Sequence, residues 1–141
     1  MKKKLAWGGH ALVWSGDWSE SGARKAISGA QRSGYDYIEI ALLDPWKVDA
    51  KMTKDLLAEH GIFATASLGL SPSTDVTSTD PKIVAAGDEL LRKATDVLHE
   101  FGGTELCVVL YCNLGKYPGP ASKENYENSV KAMQRLCDYA A

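Results

Sequence analysis

Cysteine and histidine are scarce in this 141-residue sequence, which has three of each. The cysteines, Cys107, Cys112 and Cys137, are odd in number and form no Cys-x-x-Cys pair. This pattern favours reduced thiols over a disulfide framework, so we expect a cytoplasmic protein. No apolar run approaches the roughly 18 residues of a membrane helix, and the glycine-broken start does not resemble a signal peptide. We therefore expect no membrane partner.

The sequence also has no large excess of positive or negative charge, because it contains 16 Lys and Arg residues and 18 Asp and Glu residues. A formal net charge of −2 creates no field that attracts nucleic acid, so a nucleic-acid partner is not expected. No Gly-x-Gly-x-x-Gly or Gly-x-x-x-x-Gly-Lys-Ser/Thr motif follows any apolar run, which removes the common phosphate-binding signatures. The 45% apolar content suits one domain with a substantial core.

What the sequence does contain is one junction in three copies: a helical pattern closes on a glycine, and an apolar strand follows at once. The copies read QRSGYDYIEIAL, AEHGIFATASLGL and HEFGGTELCVVLYC. Gly34, Gly61 and Gly102 are predicted to end the helices in the left-handed conformation, which carries no Cβ penalty for glycine. The predicted strands lie near Leu5–His10, Tyr37–Leu42, Phe63–Leu68 and Leu106–Tyr111.

Helix starts are marked by capping residues. Asp44 and Asp80 each precede a proline, Ser122 opens the last helix, and Ser19 or Ser21 opens the first. Helical spacing predicts packed stripes in three helices, the first at Ala23, Ile27 and Ala30, the third at Val84, Gly87, Leu91, Ala94, Leu98 and Phe101, and the last at Tyr126, Val130, Met133, Cys137 and Ala140.

Four strands that alternate with four helices predict a parallel sheet, either doubly wound or part of a (βα)₈ barrel. A full barrel needs about 250 residues, so four units would be half of one. The long, unusual loops all follow strands, whereas the loops before strands are short glycine turns, as in a barrel with its site at the carboxyl ends of the strands. We therefore predict an α/β fold, a (βα)₄ half of a TIM barrel, with residues 1–141 as a single domain.

Few residues offer chemistry. His60 and His99 lie at helix ends and suit the helix dipole, while His10 closes the first strand, where a barrel would point it at the mouth. Glu39, flanked by apolar residues, needs a partner such as Lys4 or a polar group of the site, and a structural role is favoured. Ser67 lacks the Gly-x-Ser-x-Gly elbow of a nucleophile, so a hydrogen bond to a hydroxylated ligand is the most that it indicates.

Aromatic residues gather at or beyond the predicted strand ends. Flat apolar faces beside hydroxyl-bonding groups suit a sugar, although mutual packing of these residues is the competing explanation. The residues concerned are Trp14, Trp18, Trp46, Tyr111 and Tyr117.

Several stretches together resemble the N-terminal half of the ketose 3-epimerases, the D-tagatose and D-psicose 3-epimerase group of xylose-isomerase-like TIM barrels. The stretches are ALVWSGDWS, GYDYIEIAL, GIFATASLGLSPSTDVTSTDP and DELLRKATDVLHEFGG. The most specific pieces are Trp-Ser-Gly-Asp-Trp at 14–18 and Ser-Thr-Asp-Pro at 78–81. The strand-two pattern is shared more widely, so a half of an inosose dehydratase or a hydroxypyruvate isomerase stays an alternative.

The resemblance implies a divalent metal, typically Mn²⁺, that holds a ketose through two oxygens while two glutamates exchange the proton at C3 through an enediolate. In that family the metal ligands and both glutamates come from strands five to eight, which this chain lacks. No catalytic or metal-binding residue is therefore assigned to it, and the isolated chain is predicted to be inactive.

By the same resemblance, this half contributes the wall of the sugar pocket. The matching positions are His10, Trp18, Ser67, Gly69, Val109 and Tyr111. His10 departs from the aromatic residue that is usual in the family, and Asn113 to Gly115 replace a segment that often carries a tryptophan.

A non-catalytic alternative is a half-barrel that pairs with itself or acts as a scaffold. Helices on one side of four parallel strands would leave a large apolar sheet face open to water. We therefore predict self-association through that face.

Overall fold

A computed structural model of the chain describes residues 5–115 and 119–141. The strands are β1 (Gly8–His10), β2 (Tyr37–Ala41), β3 (Phe63–Leu70) and β4 (Leu106–Asn113), and the helices are α1 (Glu20–Arg32), α2 (Ala50–His60), α3 (Pro81–Phe101) and α4 (Lys123–Ala140). One 3₁₀ turn follows each of the first three strands, at Ala11–Val13, Pro45–Lys47 and Pro72–Thr74. The four strands are parallel and ordered β1-β2-β3-β4. The predicted (βα)₄ half-barrel is confirmed. In the described part of the chain, no helix has the length and apolarity required to cross a membrane.

Strand β1 is shorter than predicted, since it begins at Gly8 and not at Leu5. The Trp7 backbone is still held, but partly by a side chain: its N–H donates to Asp36 Oδ2 at 2.9 Å, and its carbonyl accepts from the Asp36 N–H at 2.7 Å. A side-chain partner cannot continue the strand ladder, so the regular pairing starts one residue later. Strands β3 and β4 each extend two residues beyond the predicted ends.

Most predicted helix boundaries are confirmed. Gly34, Gly61 and Gly102 have φ angles of 80°, 62° and 84°, the left-handed conformation expected of a glycine after a helix. Ser19, the first of the two candidates, caps α1, and Ser122 caps α4. The prediction for Asp44 was wrong in one respect: it caps the 3₁₀ turn at Pro45–Lys47, and α2 begins later, behind the cap Asp49.

The chain divides into two compact units, Met1–Ser67 with Val97–Leu106, and Leu68–Asp96 with Cys107–Ala141. In the first unit, α1 buries Ala23, Ile27 and Ala30, as its spacing predicted. Residues of β2 alternate between two environments: Ile38 and Ile40 are fully buried, whereas Tyr37, Glu39 and Ala41 are half-buried. The strand period of two thus gives the sheet a covered face and an open face.

The open face of the first unit is only partly the apolar surface that was predicted. Parallel register places Glu39 beside His10 on one side and Thr65 on the other, and Ala41 beside Ser67. Aromatic residues, Tyr37 and Phe63, form the row nearer the strand starts. The prediction overlooked that every second residue of β2 and β3 near the strand ends is polar or small, so this part of the face tolerates water.

In the second unit, α3 buries Leu91 and Ala94 of its predicted stripe. The predicted stripe of α4 is not buried: Tyr126 is 70% exposed, and the one described residue of α4 that is buried is Ala132. Helix α4 is held by polar contacts on another face, including Asn125 Nδ2 to the Thr77 carbonyl at 2.8 Å and Asn128 Nδ2 to the Ser78 carbonyl at 3.0 Å. Helical spacing identified an apolar stripe, but in this structure that stripe faces outward.

Candidate functional site

His10 lies at the carboxyl end of β1, where its imidazole has three polar neighbours. Its Nδ1 accepts the Leu12 N–H at 3.2 Å and caps the 3₁₀ turn at Ala11–Val13. Its Nε2 lies 3.3 Å from Ser67 Oγ and 3.5 Å from Glu39 Oε1. The chain thus brings together two predicted site residues, His10 and Ser67, with Glu39 as the third member of this polar cluster.

Glu39 finds its partner within the site. The sequence left the choice between Lys4 and a polar group of the site, and the structure gives His10; Lys4 lies outside the described residues. Register explains the pairing, since His10 and Glu39 are direct neighbours on adjacent parallel strands and point to the same face. Only the fold supplies this contact, because 28 intervening residues separate the two in the sequence.

The polar cluster does not have the geometry of a Ser-His-Glu triad. In a triad, the serine and the carboxylate contact different imidazole nitrogens. Here both Ser67 Oγ and Glu39 Oε1 face Nε2, while Nδ1 is occupied by a backbone N–H. The cluster can bind a polar group but is not arranged to activate Ser67 as a nucleophile.

Trp18 lines a cleft of about 380 Å³ between the loops that follow β1 and β2. Its Nε1–H donates to Thr53 Oγ1 at 2.9 Å, and the fully buried Thr53 hydroxyl donates to the Asp49 carbonyl at 2.8 Å. This relay holds the indole in place. The cleft lining is mainly apolar, from Ala11, Leu12, Ala41, Leu43 and Val48, and Asp17, Asp44 and Lys47 add charge.

Hydrogen bonds fix the charged side chains of the cleft and favour their ionised forms. Hydrogen bonds from the Ser19 side chain and backbone lower the pKa of Asp17. The hydrogen bond from Lys47 lowers the pKa of Asp44, and the same contact raises the pKa of Lys47. An apolar floor with an aromatic wall and fixed charges suits a hydroxylated ligand better than a purely apolar one.

Trp14, predicted as a mouth aromatic, has a structural position. Its indole lies against Gly9 and Gly29 and meets the Tyr35 ring edge-on, with centroids 6.0 Å apart. The competing explanation, aromatic packing, therefore holds for Trp14. Trp46 is exposed, and Tyr117 lies outside the described residues.

The other three predicted site residues, Gly69, Val109 and Tyr111, belong to the second unit. Gly69 is exposed, although a Cβ at that position would lie 2.7 Å from Leu114 Cδ2. Tyr111 is exposed, and its carbonyl accepts from Ser129 Oγ at 2.7 Å. Val108, beside Val109, has a φ of 83°, a conformation that no sequence pattern predicted for a β-branched residue in a strand.

A metal site would need three or more ligating side chains that converge. Within residues 5–115 and 119–141, no such group of His, Cys, Asp or Glu exists. The residues described here therefore do not fit the implied Mn²⁺ by themselves.

Two details of these arrangements were not found from the sequence. Thr53 was not singled out, although its place four residues after the cap Asp49 on the inner side of α2 could have indicated it. For Glu39, the sequence offered a polar group of the site as one possible partner, but it did not identify His10 as that group, because strand register is not visible in a local sequence pattern.

The chain is similar to known proteins over nearly all of its length. It is 75% identical over 139 residues to an L-ribulose 3-epimerase of Methylomonas sp. (strain DH-1), covering 99% of this chain and 49% of that protein. It is 45% identical over 134 residues to a ketose 3-epimerase of Arthrobacter globiformis, covering 95% of this chain and 46% of that protein. No family model matches the chain.

A solved structure agrees. The crystal structure of D-allulose 3-epimerase from Methylomonas sp. in complex with D-allulose superposes with a TM-score of 0.95 at 75% identity, over 99% of this chain and 48% of that one. The chain spans about half the length of the curated relatives that it matches. The resemblance to the N-terminal half of a ketose 3-epimerase is confirmed.

Proposed function

We propose, from this match to one half of the ketose 3-epimerases, that the chain forms the substrate-pocket half of an enzyme that epimerises a ketose at C3. The 75% identity over 139 residues carries the proposal. Half of an inosose dehydratase or of a hydroxypyruvate isomerase is a weaker alternative, because the relatives found at this identity are named as epimerases of ketoses.

The position of the polar cluster supports the proposal. His10 and Ser67 lie near the carboxyl ends of their strands, the end at which TIM-barrel enzymes carry their sites. The cleft beside Trp18 opens among the loops that follow the carboxyl ends of β1 and β2. We assign sugar contacts to His10, Trp18, Ser67, Gly69, Val109 and Tyr111.

The metal and the acid–base pair belong to the other half of the barrel in this proposal. Mn²⁺ or another divalent ion would be bound there, and residues 1–141 would serve as one half-barrel domain in a cytoplasmic enzyme. What this chain's residues contribute is binding and orientation of the ketose.

Complementation tests the proposal. The chain is co-expressed with the other half of the Methylomonas L-ribulose 3-epimerase, purified with Mn²⁺, and assayed for conversion of D-fructose to D-allulose by chromatography. We expect conversion by the combined halves and none by this chain alone, because the described residues provide no metal site.

Each half assayed alone with Mn²⁺ is the matched control. Turnover by the 141 residues alone would show that the chemistry lies in this half. A folded complex of the two halves that binds Mn²⁺ but converts neither D-fructose nor L-ribulose would contradict the epimerase assignment.

In the absence of the other half, we propose that the chain self-associates through the exposed face of its sheet. Neighbouring Tyr37 of β2 and Phe63 of β3 would be buried there against a second copy, and Phe63 is 78% exposed in the single chain. Multi-angle light scattering should show a dimer or larger species, and a folded monomer at about 100 µM would overturn this proposal. A stable dimer without catalysis in any complemented form would favour the scaffold alternative.

A further inference from the structure

The contacts of His10 favour the neutral tautomer that carries its proton on Nε2. Nδ1 accepts the Leu12 N–H at 3.2 Å, so Nδ1 has no proton of its own in this arrangement. The Glu39 carboxylate lies 3.5 Å from Nε2 and favours a proton there. Among the described residues, Glu39 is the charged group at ion-pair distance from His10. Two neighbours on different elements thus select the same tautomer.

This tautomer determines the direction of the hydrogen bond between His10 and Ser67. Nε2 is a donor, so Ser67 Oγ accepts across the 3.3 Å contact. The Ser67 hydroxyl proton must then point elsewhere, and the described residues show no acceptor for it. Ser67 is only 6% exposed, which makes an unused donor there costly. A buried donor of this kind is satisfied when a ligand supplies an oxygen.

We propose that His10 is a positioning residue that holds Ser67 as a hydrogen-bond donor to an oxygen atom of the bound ketose. This inference rests on the proposed function, and it adds the direction of the bond and the residue that sets it. A sugar hydroxyl oxygen accepts readily from Ser67, whereas a ligand group that can only donate would meet two donors at this point.

The chain offers a substitution that separates the two roles of His10. In His10→Asn, the side-chain oxygen can still accept the Leu12 N–H, because Asn is a good capping residue at the start of the 3₁₀ turn. The shorter side chain does not reach Ser67. His10→Asn therefore keeps the cap and removes the donor that directs Ser67.

The first measurement is the tautomer, read from the ¹⁵N resonances of the His10 ring in the 141-residue chain at a pH where the ring is neutral. We expect an unprotonated Nδ1 and a protonated Nε2. A protonated Nδ1 would overturn the inference whatever the chain binds.

The second measurement is D-allulose affinity from NMR titrations of the wild type, Ser67→Ala, His10→Asn and the double variant. Loss of one neutral hydrogen bond predicts about 3- to 10-fold weaker binding for Ser67→Ala. His10→Asn should weaken binding less, and the double variant should bind as Ser67→Ala does, because His10 acts through Ser67.

The outcomes distinguish failure of the His10–Ser67 inference from failure of the proposed function. If the wild type binds D-allulose and Ser67→Ala binds equally well, the inference fails and the proposed function stands. Additive losses in the double variant would show that His10 acts independently of Ser67 and would also overturn it. If the wild type, alone and in the complemented complex, binds no D-allulose or D-fructose, the proposed function fails and the inference falls with it.

Discussion

Trp14 lies so close to Gly29 that a Cβ on Gly29 would come within 2.4 Å of the indole Cδ1 and 2.6 Å of its Nε1. Gly29 is on α1, and the same indole covers Gly9 of β1. Two glycines therefore make the space that a tryptophan fills between the first strand and the first helix.

Gly29→Ala should destabilise the protein. Alanine is the better helix former, but the overlap with the Trp14 ring forces a shift, and the net cost is expected at about 1–3 kcal/mol. Urea denaturation measures it. Gly16→Ala is the matched control, because a Cβ there meets nothing within 4 Å. Equal stability of the two variants would mean that the indole is not held against α1.

The relay from Trp18 to Thr53 predicts a second effect. Thr53→Val keeps the shape of a fully buried side chain and removes the acceptor for the Trp18 Nε1–H, at a cost of about 1–2 kcal/mol. Thr53→Ser retains the hydroxyl and should keep the indole in place. Tryptophan fluorescence and urea denaturation report the two effects, and a Val variant as stable as the Ser variant would contradict the relay.

Asp17 links stability to pH. Because hydrogen bonds from Ser19 lower its folded pKa below the ordinary 3.8, ionised Asp17 stabilises the fold above that value. The contribution is lost as the pH falls below 3.8 through the lower folded pKa. Asp17→Asn should therefore flatten the loss of stability that begins as the pH falls below 3.8. Thermal melting across this range measures the slope, with Asp138→Asn as an exposed control; an unchanged slope in Asp17→Asn would refute the linkage.

The ion pair between Asp88 and Arg135 joins α3 to α4 within the second unit. Arg135 donates through Nε at 2.9 Å and through Nη2 at 3.0 Å to the two carboxylate oxygens. Arg135→Gln should cost about 1 kcal/mol, less at high salt, because two-point pairs exceed ordinary surface pairs. Lys131→Gln on the same helix is the control and should change stability little. A loss that does not respond to salt would argue for packing rather than charge.

The repeated glycine junctions predicted the order of elements because helix stops and strand starts are local. The left-handed conformation after a helix depends on a single glycine, as at Gly34, Gly61 and Gly102. An N-cap depends on a single side chain beside the first turn, as at Ser19 and Ser122. These signals act over about four residues, and tertiary packing did not override them.

The helical stripe of α4 shows where local pattern fails. Spacing reports that Tyr126 and Val130 share a helix face, but it does not report whether anything covers that face. The described polar contacts of Asn125 and Asn128 orient α4 differently, because amide groups that bond to loop carbonyls decide which side of the helix packs.

The sequence by itself determined the succession of strands and helices, the helix caps and the residues that lie near the strand ends, because each depends on residues close together in the chain. It also carried the resemblance that the comparisons confirmed. Only the tertiary structure decided that Trp14 packs against glycines, that Trp18 is held by Thr53, and that His10 meets Glu39 and Ser67. Those contacts join residues up to 57 positions apart, and parallel register with helix packing, which no local pattern encodes, brings them within hydrogen-bonding or packing distance.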